Sequence, residues 1–316
     1  MSDGAQLGAR LRDGDLTAAP AVLNLVESSG QRDEVAALLR EVSPGALGGE
    51  ARAHVVGVTG PPGAGKSTLL GELVRAWRAA GRSVAVLAVD PSSKRSGGAL
   101  LGDRARIPFD PDDAAVFIRS TAAAGRLGGL APATRAGAHA LAAAFDVVVV
   151  ETVGVGQSET DVAEVADTVV VIVQPGSGDV LQFLKAGIME IPDVLVVTKT
   201  DLGDVALRAR RDLNAALRSL GSSEVTVVAV SSVAPVGGID ELVAALDAHR
   251  ERLDVAERRL AARRASALAD FAAEHGERGL RALGGRRAAL RALDHADPGA
   301  DVPALVDALE SRAEAR

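Results

Sequence analysis

The stretch Gly60-Pro61-Pro62-Gly63-Ala64-Gly65-Lys66-Ser67-Thr68 fits the pattern G-x-x-x-x-G-K-[ST]. The residue types explain the spacing. Glycines let the main chain curl so that several N–H groups, and the N-terminus of the helix that follows, point at one phosphate. In this pattern Lys66 reaches the β- and γ-phosphates and the Ser67 hydroxyl holds Mg²⁺. The flanks agree: Val55–Val58 reads as a buried strand, and Leu69, Leu70, Leu73, Val74 and Trp77 recur on one helical face before Gly81. A nucleoside triphosphate is the implied ligand.

Two further stretches supply carboxylates. Asp90 opens Asp90-Pro91-Ser92-Ser93, and a long polar loop follows through Lys94-Arg95, Gly97-Gly98 and Gly102-Asp103-Arg104. Asp90 and Asp103 are candidate Mg²⁺ ligands, directly or through water, because Mg²⁺ keeps several waters and takes one or two carboxylates. The run Val147–Val150 ends at Glu151, with Gly154 three residues on. A strand-end acid at that spacing from a glycine is the second half of a phosphate-loop site. The acid serves the metal shell, and the Gly154 amide meets the γ-phosphate. The acid is Glu where regulatory GTPases commonly carry Asp, and its longer reach points to action through a water or on the attacking water. The candidate catalytic set is therefore Lys66, Glu151, Asp90 and Asp103, and the candidate metal set is Ser67, Asp90, Asp103 and Glu151.

A third stretch selects the base. Val194–Val197 runs into Thr198-Lys199-Thr200-Asp201, which resembles the guanine-reading motif N-K-x-D. The Asp201 carboxylate is a double acceptor matched to the N1–H and N2–H₂ donors of guanine, a pair adenine lacks. The Lys199 stem can lie along the base plane. Thr198 stands where the motif has Asn. The last strand ends at Ser231-Ser232-Val233, whose N–H groups are placed for the base oxygen. Residues 60–68, 154, 198, 199, 201 and 231–233 form the expected nucleotide-binding set.

The elements that must position these groups alternate. Strand candidates are 54–59, 83–89, 115–118, 147–150, 168–173, 193–197 and 225–230, mostly continuous apolar runs with helical patterns between them. That is the signature of a doubly wound α/β domain whose mainly parallel sheet is covered on both faces. Ligands in such sheets sit at the C-terminal strand ends, where every motif above falls. The expected organisation is a helical N-terminal extension (1–50), the phosphate-loop domain (51–250) and a helical C-terminal segment (251–316). The last is broken at Gly276, Gly284-Gly285 and Asp297-Pro298-Gly299; a solvated tail and an arm that packs on a second subunit fit it equally.

Composition narrows the classes. The chain has 316 residues, 47% of them hydrophobic, a net charge of −7 and no cysteine. Disulfides, thiolate metal sites and cysteine catalysis are excluded. The acidic balance argues against a nucleic-acid surface, and no apolar run reaches the ~20 residues of a membrane helix. No secretion signal is legible, so a cytoplasmic location is expected. Only four of the 35 basic residues are lysines: Lys66, Lys94, Lys185 and Lys199. Where arginine is the default cation, a retained lysine suggests a need for a compact ammonium. Lys66 and Lys199 lie in nucleotide motifs, and Lys185 is a further candidate.

The chain resembles the MeaB/ArgK-type GTPases that accompany cobalamin-dependent acyl-CoA mutases. The resemblance spans about residues 50–250. It rests on the phosphate loop, Asp90–Ser93 through Arg104, Phe117-Ile118-Arg119-Ser120, Leu127–Leu130, Glu151–Glu159, and Gln174–Asp179 through Lys185–Ile188. It implies a homodimeric GTPase of the signal-recognition and metal-insertion superfamily that uses Mg²⁺ and binds a mutase, most often methylmalonyl-CoA mutase. Such proteins gate adenosylcobalamin delivery and protect the mutase. It also implies a nucleotide-responsive loop over 174–185 carrying Asp179 and Lys185, and a dimer arm after residue 250.

Other classes fit less well. Similar proteins have been described as kinases linked to basic amino-acid transport, but Asp201 selects guanine. A nickel-insertion role is weakened by the lack of cysteine and by five scattered histidines: His54, His139, His249, His275 and His295. A scaffold with a vestigial site conflicts with intact Lys66, Ser67, Glu151 and Asp201. Arg95, Arg104 and Arg119 are candidate arginine fingers.

Overall fold

The computed structural model describes residues 1–28, 30–90, 107–122, 130–152, 162–176, 192–222 and 224–315. They fall into two compact units. One comprises residues 54–131 and 145–253; the other comprises 1–53, 132–144 and 254–316.

The first unit is built on seven strands: β1 His54–Thr59, β2 Val84–Asp90, β3 Val116–Ala122, β4 Val147–Thr152, β5 Thr168–Val173, β6 Val194–Val197 and β7 Thr226–Ala229. All pairings are parallel, in the order β3-β2-β4-β1-β5-β6-β7. The strands are β-branched and apolar because both faces are covered. Val56, Val58, Val147, Val149, Val170 and Ile172 face the helices Lys66–Ala79 and Ile239–Arg252, whose Leu69, Leu73, Trp77, Leu242 and Leu246 complete that core. On the opposite face Gly57 lies so close to Val162 and Ala166 that a Cβ would sit 2.6 Å from the Val162 side chain. The helix Asp204–Leu220 packs Ala206, Ala209, Leu213 and Leu217 inward beside β6 and β7.

All seven expected strands form. The differences lie at their ends. β3 continues to Ala122, beyond the expected 115–118, because its pairing with β2 runs on through Leu87↔Arg119 to Asp90↔Ala122. An edge strand does not have to be apolar at every position, so its polar half carries no run to read.

The second unit is helical. Its N-terminal helices are Asp3–Arg12, Ala19–Glu27, Arg32–Glu41 and Pro44–Leu47, and its C-terminal helices are Val255–Ala282, Arg286–Asp294 and Val302–Glu314. Ser2, Ser43, Asp254 and Asp301 cap four of these by accepting N–H bonds. The expected breaks are present: Gly276 interrupts Val255–Ala282 with φ 58°, and Gly285 and the 297–299 turn separate the helices that follow. The C-terminal segment is not a solvated tail. Leu268, Phe271, Leu280, Leu293, Leu305 and Leu309 form a core of their own.

Buried arginines join the two ends of the chain. Arg259 donates to the carbonyls of Ala51 and Ala53 at 2.7 Å, and Arg263 grips the Glu50 carboxylate with two bonds and the Pro298 carbonyl with a third. The helix Pro132–Leu141, read from sequence as part of the middle segment, also belongs here: Arg135 is ion-paired with Asp270. Among the described residues no helix is long and apolar enough to cross a membrane.

Candidate functional site

The C-terminal ends of the strands form one rim. Across the sheet it runs Asp90 (β2), Glu151-Thr152 (β4), the loop from Gly60 (after β1), Gln174 (after β5), Thr198 (after β6) and Val230-Ser231 (after β7). β1 lies at the centre, where the chain order reverses, so the phosphate loop occupies the crevice in which doubly wound sheets bind ligands.

The loop is shaped by its glycines. Gly60 has φ 152°, and a Cβ there would lie 2.6 Å from the Ile172 carbonyl oxygen, so the chain can pass β5 only without a side chain. Gly65 takes a left-handed conformation (φ 89°) immediately before the helix Lys66–Ala79. For N–H groups to line an anion cradle, the carbonyls must turn away and find donors. They do: Lys66 Nζ donates to the Gly60 carbonyl at 2.8 Å and the Pro61 carbonyl at 3.2 Å, and the Thr198 hydroxyl donates to the Ala64 carbonyl at 2.8 Å. Lys66 and Ala64 are buried; Pro62, Gly63 and Thr68 are exposed, and Pro61, Gly65 and Ser67 are partly so.

Glu151 is 3% exposed and stands opposite Val58 in the β1–β4 register. Side chains alternate along a strand. Val147 and Val149 lie on the face covered by the helix Lys66–Ala79, so Glu151 shares that face with Lys66 and Ser67. A half-exposed hydroxyl at the helix start and a carboxylate at the adjoining strand end are hard oxygen donors, a set that suits Mg²⁺. Asp90 is the last residue of β2, two strands from the loop. Asp103, Gly154, Asp179 and Lys185 lie outside the described residues, as do Lys94, Arg95 and Arg104. Arg119 sits in the middle of β3, three residues short of the rim.

On the other side of the loop, Thr198 is 2% exposed and Lys199 adopts a left-handed backbone (φ 57°), the only such non-glycine among the described residues. That turn places Asp201 at the start of a short 3₁₀ helix (Thr200–Leu202), exposed to solvent. The Ser231 N–H is taken within the protein. It donates to the Gly237 carbonyl at 2.9 Å, and its hydroxyl donates to the Val233 carbonyl, closing the loop through the cis peptide Ala234-Pro235. Ser232, half-buried, and Val233, exposed, follow Ser231 in that loop.

Two of the histidines are not scattered. His54 Nε2 and His249 Nδ1, far apart in sequence, both bond the Thr168 hydroxyl, at 2.7 and 2.8 Å, and His249 Nε2 faces Asp193 at 3.2 Å. This network lies at the N-terminal strand ends, opposite the rim, where Arg250 also pairs with the buried Asp167. Burial pushes the His54 imidazole down to about 4 and His139, in the helical unit, down to about 3. Sequence reading missed the convergence because strand order, which brings β1 beside β5, is not local information.

The chain matches the family model described as "Methylmalonyl Co-A mutase-associated GTPase MeaB" over residues 19–278. A Mycobacterium tuberculosis (strain H37Rv) protein named "Probable GTPase Rv1496" is 40% identical over 259 residues, covering 78% of this chain and 75% of that protein. The Mus musculus protein named "Methylmalonic aciduria type A homolog, mitochondrial" is 45% identical over 160 residues, 49% of this chain and 38% of the mouse protein. In archaeal and bacterial relatives the match spans 58% to 75% of the relative's own length. A solved structure titled "Crystal structure of LAO/AO transport system kinase" superposes with a TM-score of 0.65 at 28% identity, covering 98% of each chain.

Proposed function

The chain belongs to the MeaB family of methylmalonyl Co-A mutase-associated GTPases, and from that premise we propose that it binds and hydrolyses GTP as a chaperone of a cobalamin-dependent acyl-CoA mutase. The observation that carries the nucleotide part is the rim itself. The phosphate loop and the base-reading loop leave adjacent regions of one sheet and are joined by the Thr198–Ala64 hydrogen bond.

The chemistry is attack of water on the γ-phosphate, with GDP as leaving group. Lys66, already held at the loop mouth, neutralises charge that spreads over the phosphoryl oxygens, and loop N–H groups do the same without reorganising. Ser67, with Glu151 and Asp90 directly or through water, would hold Mg²⁺, which supplies further charge neutralisation when bound. Glu151, buried beside the loop, orients the water. Asp201 accepts from the guanine N1–H and N2–H₂ groups, and Ser232 and Val233 offer N–H groups to O6.

The partner reading rests on family membership and on the mouse relative's name. Gating of adenosylcobalamin delivery, protection of the mutase, signalling through Asp179 and Lys185, and dimerisation through the helical unit are parts of this proposal. Partner-ordered active sites of this class gain ~10³-fold or more in turnover. Phosphate release from GTP, measured with and without a cobalamin-dependent methylmalonyl-CoA mutase and with ATP as control, tests it. GTP-specific turnover that rises with the mutase supports the proposal. Turnover indifferent to the mutase removes the partner, and ATP preference favours the transport-kinase reading that the solved relative's title names.

A further inference from the structure

We propose that Thr198 braces the phosphate loop and leaves N7 of the bound guanine unread. The proposal rests on the guanine reading above and deepens it.

The argument is a count of donors. N7 and O6 of guanine are both acceptors, so a protein reads them only with N–H or O–H groups. A threonine hydroxyl has one proton and two lone pairs. At Thr198 that proton is directed at the Ala64 carbonyl, 2.8 Å away, with the Val173 carbonyl next at 3.5 Å. Both acceptors belong to the protein. What Thr198 has left is lone pairs, which repel N7. An asparagine amide has two N–H donors; one can hold the Ala64 carbonyl while the other reaches the base.

Four neighbouring N–H groups are committed elsewhere. The Thr198 N–H donates to Val173, the Thr200 N–H to Val230, the Leu202 N–H to Lys199 and the Ser231 N–H to Gly237. Each is committed to a main-chain carbonyl. Base selection then depends on the Watson–Crick edge, through Asp201. The brace has its own consequence. It joins the base-reading loop to the phosphate loop through one buried hydrogen bond, so Thr198 acts as a positioning residue for the phosphate cradle.

The test is competition binding of GDP, 7-deaza-GDP and ADP to the full chain, using a fluorescent GDP as the displaced probe. The wild type is expected to bind GDP and 7-deaza-GDP within twofold of each other, because replacing N7 by C–H removes an acceptor nothing engages. Thr198→Asn is expected to favour GDP over 7-deaza-GDP by about 2- to 12-fold, the range of one net hydrogen bond. Thr198→Val, which removes the brace and adds no donor, is expected to weaken both ligands together and keep their ratio near one. A merely structural residue would not move that ratio in Thr198→Asn. A wild-type preference for GDP over 7-deaza-GDP of threefold or more overturns the proposal, as does a folded Thr198→Asn that gains no preference. The wild-type arm decides by itself if the variants do not fold. ADP binding as tight as GDP overturns the guanine reading, and this proposal with it; selectivity for GDP over ADP together with a 7-deaza penalty overturns this proposal alone.

Discussion

Glu151 stands directly opposite Val58 in the parallel register of β4 and β1, two positions before the phosphate loop begins at Gly60. The register fixes the acid beside the loop independently of any ligand, and alternation puts it on the face of Lys66 and Ser67. Its burial keeps bulk water from screening it. Glu151→Gln keeps the shape and removes the charge. We expect kcat for GTP to fall about 10²-fold, with GDP affinity changed less than fivefold. Equal losses in both would assign Glu151 to binding.

Lys66 differs in kind. Its ammonium bonds two carbonyls of the phosphate loop. Lys66→Ala should reduce turnover by 10²-fold or more and weaken triphosphate binding more than diphosphate binding, because the lysine reaches the β- and γ-phosphates. The chain has one tryptophan and no tyrosine. Trp77 lies buried in the same helix, so its emission reports directly whether the variant remains folded. Unchanged hydrolysis would contradict the site.

Gly60 and Gly65 separate two costs of a side chain. Both have positive φ, but a Cβ at Gly65 meets nothing within 4 Å, whereas at Gly60 it meets the Ile172 carbonyl at 2.6 Å. Gly65→Ala should lose about 1 kcal/mol, the left-handed penalty alone. Gly60→Ala should lose at least twice that, because β5 or the loop must shift. Urea unfolding followed by Trp77 measures both. Equal losses would mean that the loop yields without disturbing β5.

The sequence carried the strands and the order of the motifs because both are local. β-branched runs mark β1, β4, β5 and β6, and each motif is a contiguous string. What it did not carry is what touches what. That Thr198 reaches Ala64, that the Ser231 N–H is taken by Gly237, and that His54 and His249 meet at Thr168 all depend on strand order. The helix Pro132–Leu141 illustrates the same limit: its periodicity is legible, but its membership in the helical unit is set by partners such as Asp270, remote in sequence.

His54 gives the fold an acid limit. Desolvation lowers its folded pKa to about 4 against 6.5 unfolded. Below pH 6.5 the unfolded chain takes a proton that the folded chain refuses, so stability falls as pH drops and the loss levels off near pH 4. The shift corresponds to about 3 kcal/mol. His54→Gln, which cannot take that proton, should lose about 2 kcal/mol less than wild type between pH 7 and pH 4.5, by urea unfolding at each pH. Parallel pH profiles would show that His54 is protonated in the folded state.

Asp201 tests the central claim, that the rim holds a guanine nucleotide with its base at the β6 end. The measurement is the relative affinity of GDP, XDP and ADP for wild type and Asp201→Asn. The account predicts GDP selectivity in the wild type. In the variant it predicts a shift of at least tenfold toward XDP, because the amide donates where the xanthine carbonyl accepts. Unchanged selectivity in Asp201→Asn would contradict it and move base recognition elsewhere in the chain.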